Sequence, residues 1–395
     1  MTQQSMFEQI LDYANRADPY PRYAQLRQTP VARQADGSYV VSTYREITAL
    51  LHDPRMSSDL SKGNQLEPDL IPGFIALDPP EHGRLRRMAM RHFGPPHRPG
   101  WVDGMRDTFT SLVDRLIDDC RDRRQIDIVD ELAYPLPVTM ICDMLGVPLG
   151  DEPLFRRWTQ DILDAEYGTA EQRQRGKQAI AEVREYIIEL AAAFRRQPCD
   201  NMLSRWVTDD NPDGRMSTAE IADTGVLLLI GGHETTVNLI ANGMLTLLRR
   251  PELMERLRRQ PGLVIPMVEE LLRHEPPAQI TPRAALADVT IAGVTIPQGA
   301  KVHLVLAAGN RDPLRFFDPD LFVPDRPDNQ HLGFGHGIHA CFGAPMARLE
   351  TQIALSALAR RLEAPRLIDD PPPYRLNPFL RGPRHLLVTV DRVRN

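Results

Sequence analysis

One cysteine lies in a glycine-rich loop directly before a helical pattern, and no other stretch limits so strongly what this chain can fold into. The loop is residues 334–343 (FGHGIHACFG), and apolar residues recur after it at helical spacing, at Met346, Leu349, Ile353 and Ala357. A cysteine just before a helix N-terminus has its thiolate stabilised by the helix dipole and by free amide groups. The glycines let the backbone turn tightly around the sulfur and let a flat ligand approach. The loop predicts a thiolate ligand open on one side; the alternative is a buried, inert cysteine.

A dry, hydrogen-bonded thiolate that is open on one side is the environment that a haem iron needs. The pattern Phe-x-x-Gly-x-His-x-Cys-x-Gly resembles the haem-ligand signature of the cytochrome P-450 family, and its positions here are Phe334, Gly337, His339, Cys341 and Gly343. Four further stretches resemble the same family in the same order, so the resemblance covers about residues 18–390. It implies that the cofactor is haem b and that Cys341 is the only protein ligand to its iron.

Composition and charge exclude several other classes of protein. The 395 residues are 42% hydrophobic and 25% charged, which is typical of a globular chain, and the net charge of −6 argues against nucleic-acid binding. The four cysteines are widely spaced without a CxxC pair, which favours the reducing cytoplasm. The most apolar run, residues 226–230, is far shorter than the ~20 residues of a membrane span, so we expect no membrane anchor.

The order of patterns along the chain predicts a mainly α protein with small β-sheets near both ends. Asp36-Gly37 between two apolar stretches predicts a hairpin. Helical patterns cover about residues 80–275 and 341–362, and β-rich patterns about 25–45, 285–306 and 375–392. No linker or repeat divides the sequence, so we expect one domain over residues 1–395. The resemblance implies the cytochrome P-450 fold, with the haem between the 217–250 helix and the Cys341 loop.

The longest predicted helix begins at a capping box, residues 217–220, and ends before Pro251. Adjacent glycines at 231 and 232 cost about 1 kcal/mol each in a helix, so packing or function must require them. The zinc-protease pattern His-Glu-x-x-His fails because Val237 replaces the second histidine. The stretch resembles the family's Ala/Gly-Gly-x-Asp/Glu-Thr motif, in which the helix opens locally above the haem. That resemblance implies catalytic roles for Thr235, as a proton-donating hydroxyl, and for Glu234, as the acid that relays protons from solvent.

A basic helix near residue 81 predicts part of the cofactor site. His82 and Arg86 fall on one helical face beside Leu85, Ala89 and Phe93, and cations among apolar residues need an anionic partner. The resemblance supplies haem propionates as that partner for His82 and Arg86. Arg283 and His339 match further propionate contacts of the family. The opposite face, with Arg84, Arg87 and Arg91, is predicted to be solvated and to receive an acidic electron donor.

A second helical motif is predicted to hold the cysteine loop in place rather than to do chemistry. Glu270-x-x-Arg273 resembles the family's Glu-x-x-Arg helix, and Arg326 corresponds to its third partner. The intervening Asn310-Arg-Asp-Pro313 stretch completes the family order. We expect these residues to fix the segment that delivers Cys341.

The resemblance implies a bacterial-type monooxygenase that uses dioxygen and two electrons from NAD(P)H, passed on by a ferredoxin and its reductase. The substrate is expected to be a hydrophobic small molecule, such as a polyketide, terpenoid or steroid, because the corresponding pocket segments are mostly apolar: 57–74, 158–167, 227–231, 278–281 and 378–380. Two alternatives remain: a peroxide-driven haem-thiolate peroxygenase, which should lack the Glu234–Thr235 pair, and a non-catalytic haem sensor. A zinc site at His331, His336, His339 and Cys341 fits no common zinc spacing.

Overall fold

The computed structural model describes residues 5–64, 71–93, 98, 100–165, 168–210 and 214–395. Residues 1–67, 110–133 and 235–395 form one compact unit, called the larger unit here, and residues 68–109 and 134–234 form the smaller unit. The prediction of a mainly helical chain is confirmed. The α-helices are α1 (Met6–Leu11), α2 (Tyr20–Leu26), α3 (Tyr44–His52), α4 (Glu81–Met90), α5 (Trp101–Gly104), α6 (Arg106–Asp118), α7 (Pro135–Leu145), α8 (Glu152–Ala165), α9 (Ala170–Arg196), α10 (Met202–Val207), α11 (Thr218–Leu248), α12 (Pro251–Arg259), α13 (Val264–His274), α14 (Leu306–Gly309) and α15 (Ala344–Arg361).

The strands are short and belong to the larger unit. They are β1 (Val31–Arg33), β2 (Tyr39–Val41), β3 (Met56–Ser57), β4 (Gln125–Asp127), β5 (Thr281–Ala285), β6 (Val289–Ile291), β7 (Val294–Ile296), β8 (Lys301–Leu304), β9 (Leu362–Glu363), β10 (Arg366–Leu367), β11 (Leu387–Thr389) and β12 (Arg392–Val393). One sheet has the order β1-β2-β8-β5-β3 and a second the order β10-β11-β4, while β9 pairs with β12 and β6 with β7. β2 and β8 run parallel, and the other pairs are antiparallel.

The predicted hairpin at Asp36-Gly37 is confirmed, with Val31 opposite Val41 across β1 and β2. Gly37 has a φ of +85°, a conformation that favours glycine, and the Asp36 carboxylate accepts a hydrogen bond of 2.9 Å from the Ser38 amide. The five-stranded sheet and α3 enclose one hydrophobic core of the larger unit, in which Ile47, Val302 and Leu304 are fully buried. This core supports the sheet that carries β5.

Four of the described strands, β3, β4, β9 and β10, lie outside the ranges predicted to be β-rich, as does most of β5. β3 has two residues, and β4 lies within the range predicted to be helical, where Ile126 pairs with Val388 of β11. Neither is long enough to show the alternation from which a strand is recognised in sequence. Each forms because a partner strand from a distant part of the chain supplies its hydrogen bonds.

The smaller unit packs helices on helices, with α8 lying along α9. Phe155, Trp158 and Tyr186 form an aromatic cluster between them, with ring centroids 5.3 to 5.8 Å apart. Trp158 also donates a hydrogen bond of 2.7 Å from Nε1 to the Glu182 carboxylate, so its polar edge is satisfied. Two parts of the predicted pocket segments, residues 65–70 and 166–167, lie outside the described residues.

Helix α11 begins and ends where the sequence predicts. The Ser217 amide donates to the Glu220 carboxylate (2.7 Å), and the Glu220 amide donates to Ser217 Oγ (3.2 Å), which completes the capping box. Pro251 falls in the first turn of α12, where proline needs no amide hydrogen. The helix is continuous through residues 231–236, so the local opening that the resemblance implied is not present as a break in the helix. Among the described helices, none is long and apolar enough to cross a membrane.

Candidate active site

The loop that carries Cys341 is closed by its own backbone hydrogen bonds. The Cys341 amide donates to the Phe334 carbonyl (2.9 Å), and the Gly335 amide donates to the Leu332 carbonyl (2.8 Å). A single 3-10 turn, Gly337–His339, lies between them. Gly343 occupies the N-cap of α15 and has no capping side chain, so the positive end of the helix dipole is directed at the residues just before it.

Two glycines of this loop have backbones that other residues rarely adopt. Gly335 and Gly337 have φ angles of +68° and +72°. A Cβ on Gly337 would also lie 2.5 Å from the Leu51 carbonyl oxygen, whereas nothing lies within 4 Å of the same position on Gly335. The loop is therefore packed tightly against α3 at one glycine and open at the other.

The environments of the four cysteines differ in a way that favours Cys341 as a ligand. Cys120 and Cys142 are buried, and burial raises the pKa of both thiols, that of Cys142 to about 12. Cys199 is exposed, and its Sγ accepts a hydrogen bond of 2.9 Å from Asn201. Cys341 is exposed and lies at a helix N-terminus. Cys199 also lies two residues before a helix N-cap, but α10 has six residues whereas α15 has 18, so the longer helix offers the stronger stabilising field for a thiolate at Cys341.

The predicted Glu-x-x-Arg triad is present, with Glu270 and Arg273 fully buried and Arg326 half-buried. Arg273 donates two hydrogen bonds to the Glu270 carboxylate (2.7 and 2.8 Å), and Arg326 Nε lies 3.3 Å from both oxygens of the same carboxylate. Arg273 also donates to the Asn310 carbonyl (2.9 Å), while the Asn310 side chain accepts from the Leu332 amide (2.6 Å). The triad is thereby joined through Asn310 to Leu332, two residues before the cysteine loop.

Arg283 and His339 lie with Cys341 in the larger unit. Arg283 is on β5 and is 8% exposed, and its guanidinium donates to Thr281 Oγ1 (3.0 Å) and to the Pro282 carbonyl (2.7 Å). His339 is half-buried at the end of the 3-10 turn, two residues before Cys341. Both side chains can donate hydrogen bonds to a carboxylate.

His82 and Arg86 lie on α4 in the smaller unit. His82 is buried and packs edge-on against Phe74, with ring centroids 6.2 Å apart, and Arg86 is half-buried. Burial, followed by the Arg86 cation, lowers the pKa of His82, while the Asp78 carboxylate acts in the opposite direction. The His82 ring and the Arg86 guanidinium both carry N–H donors that could serve an anion, and their binding of a haem propionate stays a prediction.

The opposite face of this helix is only partly the solvated basic surface that we expected. Arg87 is exposed, but Arg84 forms ion pairs with Glu81 and Glu220, and Arg91 Nη1 lies 2.5 Å from the Asp209 carboxylate. The expectation that all three arginines point freely outward is therefore wrong. Glu220 and Asp209 lie more than 100 positions away from Arg84 and Arg91 in the chain, so helical periodicity cannot reveal these two ion pairs.

Gly231, Gly232 and Thr235 are the accessible part of the middle of α11. Both glycines are exposed and Thr235 is half-buried, although residues 226–230 of the same helix are buried on every side. Gly231 and Thr235 are four residues apart and share one helical face. Glu234 is buried and lies about 100° around the helix from Thr235. The two predicted catalytic residues are neighbours in sequence, but only Thr235 lies on the accessible face.

The residues present fit a haem. The larger unit offers an exposed thiol in a loop with an open glycine, together with Arg283 and His339 as donors to carboxylates. The smaller unit offers a buried histidine beside an arginine. Sequence reasoning gave no role to Glu269 and Arg348 and named His331 only for a rejected zinc site, yet Glu269 contacts both His331 and Arg348 beside the cysteine loop. Nothing in their spacing marks them as a group.

Comparison with known proteins gives one consistent result. The family model described as Cytochrome P450 matches residues 33–390. The chain is 38% identical to 6-deoxyerythronolide B hydroxylase of Saccharopolyspora erythraea, covering 95% of this chain and 96% of that protein. It is 36% identical to mycinamicin IV hydroxylase/epoxidase of Micromonospora griseorubida, covering 93% and 94%. The ligand-free crystal structure of CYP164A2 from Mycobacterium smegmatis is similar with a TM-score of 0.90 and 37% identity, over 98% of this chain and 99% of that one.

Proposed function

Since the chain belongs to the cytochrome P450 family, we propose that Cys341 is the axial thiolate ligand of its haem iron. We also propose that the enzyme oxidises a hydrophobic molecule of the polyketide class. Membership in the family makes the chain a monooxygenase that binds haem through a cysteine thiolate. Which cysteine serves, which residues deliver protons and which substrate binds are our proposals. We also propose that the chain forms one domain over residues 1–395 and works in the cytoplasm.

The observation that carries the proposal is the exposed sulfur of Cys341 at the N-terminus of α15. The helix dipole favours the negative thiolate over the neutral thiol, and a thiolate ligand favours cleavage of the O–O bond. Arg283 and His339, with His82 and Arg86, are proposed to hold the haem propionates by charge-assisted hydrogen bonds. When bound, the haem supplies the activation of dioxygen that allows one oxygen atom to enter a C–H or C=C bond of the substrate.

Proton delivery is proposed to involve Thr235 and Glu234. The reaction consumes two protons for each oxygen atom inserted, and a positioned donor prevents their delivery to the wrong atom. Thr235 lies on the accessible face of α11, where its hydroxyl can donate to a ligand. Glu234 is buried, so we propose that it receives protons from solvent through ordered water and passes them toward Thr235. The presence of this pair favours the monooxygenase over a peroxide-driven enzyme.

The proposed substrate class is supported by the relatives and by the apolar pocket segments. Two relatives are named for the hydroxylation or epoxidation of 6-deoxyerythronolide B and mycinamicin IV. Their likeness extends along nearly the whole chain, and residues 227–230 of the predicted pocket are apolar and buried. We propose hydroxylation or epoxidation of a macrolide-like polyketide, with two electrons from NAD(P)H passed through ferredoxin reductase and ferredoxin.

The test begins with the ferrous carbon monoxide spectrum, which shows a strongly red-shifted Soret band when a thiolate ligates the iron. We expect Cys341→His to abolish this band, and the control variants Cys120→Ser, Cys142→Ala and Cys199→Ser to retain it. A thiolate band in Cys341→His would refute the assignment of the ligand.

The proposed substrate class is tested by titrating the holoenzyme with macrolides, terpenoids and steroids. The Soret shift reports whether a ligand displaces the water bound to the iron. The best ligands are then incubated with NAD(P)H and surrogate ferredoxin partners, and the products are analysed by mass spectrometry. Gain of one oxygen atom by a macrolide supports the proposal. Turnover of only terpenoids or steroids refutes the substrate class, and so does binding of macrolides without any oxidised product.

A further inference from the structure

Glu269, on α13, binds both ends of the cysteine loop with one carboxylate. Its Oε2 accepts hydrogen bonds from His331 Nε2 (3.1 Å) and Arg348 Nη2 (2.8 Å), and its Oε1 accepts from Arg348 Nε (2.7 Å). His331 lies ten positions before Cys341, and Arg348 lies seven positions after it in the second turn of α15. The contact therefore joins the entry of the loop to the helix that follows it.

The hydrogen bonds of His331 define its tautomer and fix the next residues. Nδ1 accepts from the Gly333 amide (3.0 Å), so the ring proton is on Nε2, where it is donated to Glu269. A Cβ on Gly333 would lie 2.5 Å from the Leu272 carbonyl oxygen, so the loop entry also lies directly on α13. The backbone of the loop entry is held by the histidine side chain and by close packing on the same helix.

Arg348 reaches the loop from the other side. Its guanidinium carbon lies 4.6 Å from the centre of the Phe334 ring, while its Nε and Nη2 donate to Glu269. The Cys341 amide donates to the carbonyl of that same Phe334. A path of direct contacts thus runs from Glu269 through Arg348 and Phe334 to the backbone of Cys341.

The group is charged and partly protected from water. The exposed fraction of the side chain is 28% for Glu269, 35% for Arg348 and 5% for His331. Burial acts to raise the pKa of Glu269, but hydrogen bonds from Arg348 and His331 outweigh it and lower the pKa to about 2. The carboxylate is ionised throughout the neutral range and compensates the charge of Arg348 near the loop.

We propose that Glu269 is a positioning residue for Cys341: by binding His331 and Arg348 together it holds the loop in the geometry in which the thiolate stays on the iron. This inference rests on the proposed role of Cys341. It assigns to Glu269 a role distinct from that of its neighbour Glu270. The partners of Glu270 are Arg273 on the same helix and, in the segment before the loop, Val323, Arg326 and Asn329. Two consecutive carboxylates of one helix therefore support two different segments.

The experiment compares Glu269→Gln with a matched control, Glu255→Gln, in the haem-loaded protein. Glu255 also accepts hydrogen bonds from two arginines, Arg258 (3.2 Å) and Arg259 (3.1 Å), but these lie on its own helix, α12. The readout is the rate at which the ferrous carbon monoxide form loses the thiolate Soret band at fixed temperature. We expect Glu269→Gln to increase this rate about tenfold, which corresponds to about 1.4 kcal/mol, and Glu255→Gln to leave it unchanged.

Hydrogen exchange of the same holoenzymes separates loop positioning from general destabilisation. In Glu269→Gln, peptides spanning residues 331–343 should exchange faster while those of the five-stranded sheet remain unchanged. If Glu269→Gln does not retain haem, Arg348→Lys replaces it, because lysine keeps the charge but lacks the planar fork; we expect about a threefold faster loss of the band.

Loss of the thiolate band at the wild-type rate in the variant tested refutes the proposal. Uniformly faster hydrogen exchange over the whole chain would also refute the proposal, because it would show that Glu269 stabilises the fold in general and not the loop. If Cys341→His keeps the thiolate band, the proposed ligand fails; if it loses the band and Glu269→Gln behaves as wild type, only the inference about Glu269 fails.

Discussion

Replacing Glu270 by glutamine would leave the Arg273 guanidinium buried without a carboxylate. Both side chains are fully buried, and the carboxylate accepts hydrogen bonds from Arg273, Arg326, Asn329 and the Val323 amide. Glutamine has one acceptor oxygen, and its amide nitrogen would face donors. Removing one partner of a buried ion pair costs about 3–5 kcal/mol, because the remaining charge cannot return to water.

The expected loss can be converted into a melting temperature. With about 2.1 cal/mol/K of unfolding entropy per residue, a cooperative unit of this length has about 0.8 kcal/mol/K, so Glu270→Gln should melt about 4–6 °C below wild type. Circular dichroism of the haem-loaded protein, scanned at pH 7, measures this shift. The control Glu252→Gln lies exposed on α12, and we expect it to change stability by less than about 1 kcal/mol.

The double variant Glu270→Gln with Arg273→Met isolates the cause. Because it removes the buried cation as well as the anion, the double variant should lose less stability than the sum of the losses of the two single variants. A Glu270→Gln melting temperature equal to that of Glu252→Gln would refute the argument that the buried pair holds the segment before the cysteine loop.

Three further predictions concern proton delivery, pH dependence and the basic helix. Thr235→Ala should lower the yield of product per NAD(P)H consumed, with a loss of about 10² in the productive step, and unchanged coupling would mean that another group donates the proton. Burial lowers the pKa of His303 from 6.5 to about 4. Between these two pH values the unfolded chain therefore binds more protons at His303 than the folded chain does. The contribution of His303 to stability is complete above about pH 6.5 and is lost as the pH falls toward 4. Chemical unfolding should show about 2 kcal/mol less stability at pH 5 than at pH 7.5 from this group, and His303→Phe should remove that difference. Arg91→Glu should cost about 1–3 kcal/mol by opposing Asp209, whereas Arg87→Glu should stay within about 0.5 kcal/mol; equal losses in thermal unfolding would contradict the ion pair.

The features that could be predicted from the sequence are those whose interacting residues lie close together along the chain. The capping box at Ser217, the hairpin at Asp36-Gly37 and the cysteine loop each depend on residues within about ten positions of one another. The order of the Glu270–Arg273 pair and Arg326 also identified a triad that is present. Local backbone conformation and helical periodicity are fixed by nearest neighbours, so these features can be read without a structure.

The tertiary structure alone decided which distant groups meet. Arg91 and Asp209 are 118 positions apart, and the strands of Ile126 and Val388 lie still farther apart in the chain. In the same way, the spacing to Arg273 marks Glu270 in the sequence, but no pattern marks the neighbouring Glu269, which binds His331 and Arg348 on the two sides of the cysteine loop. The sequence by itself determined the backbone of the cysteine loop, the bounds of the long helix and the family, because each of these depends on short patterns. Which charged side chains pair with each other depends on the tertiary fold. An ion pair requires proximity in space, and two residues far apart in the chain can meet without any regular spacing in the sequence.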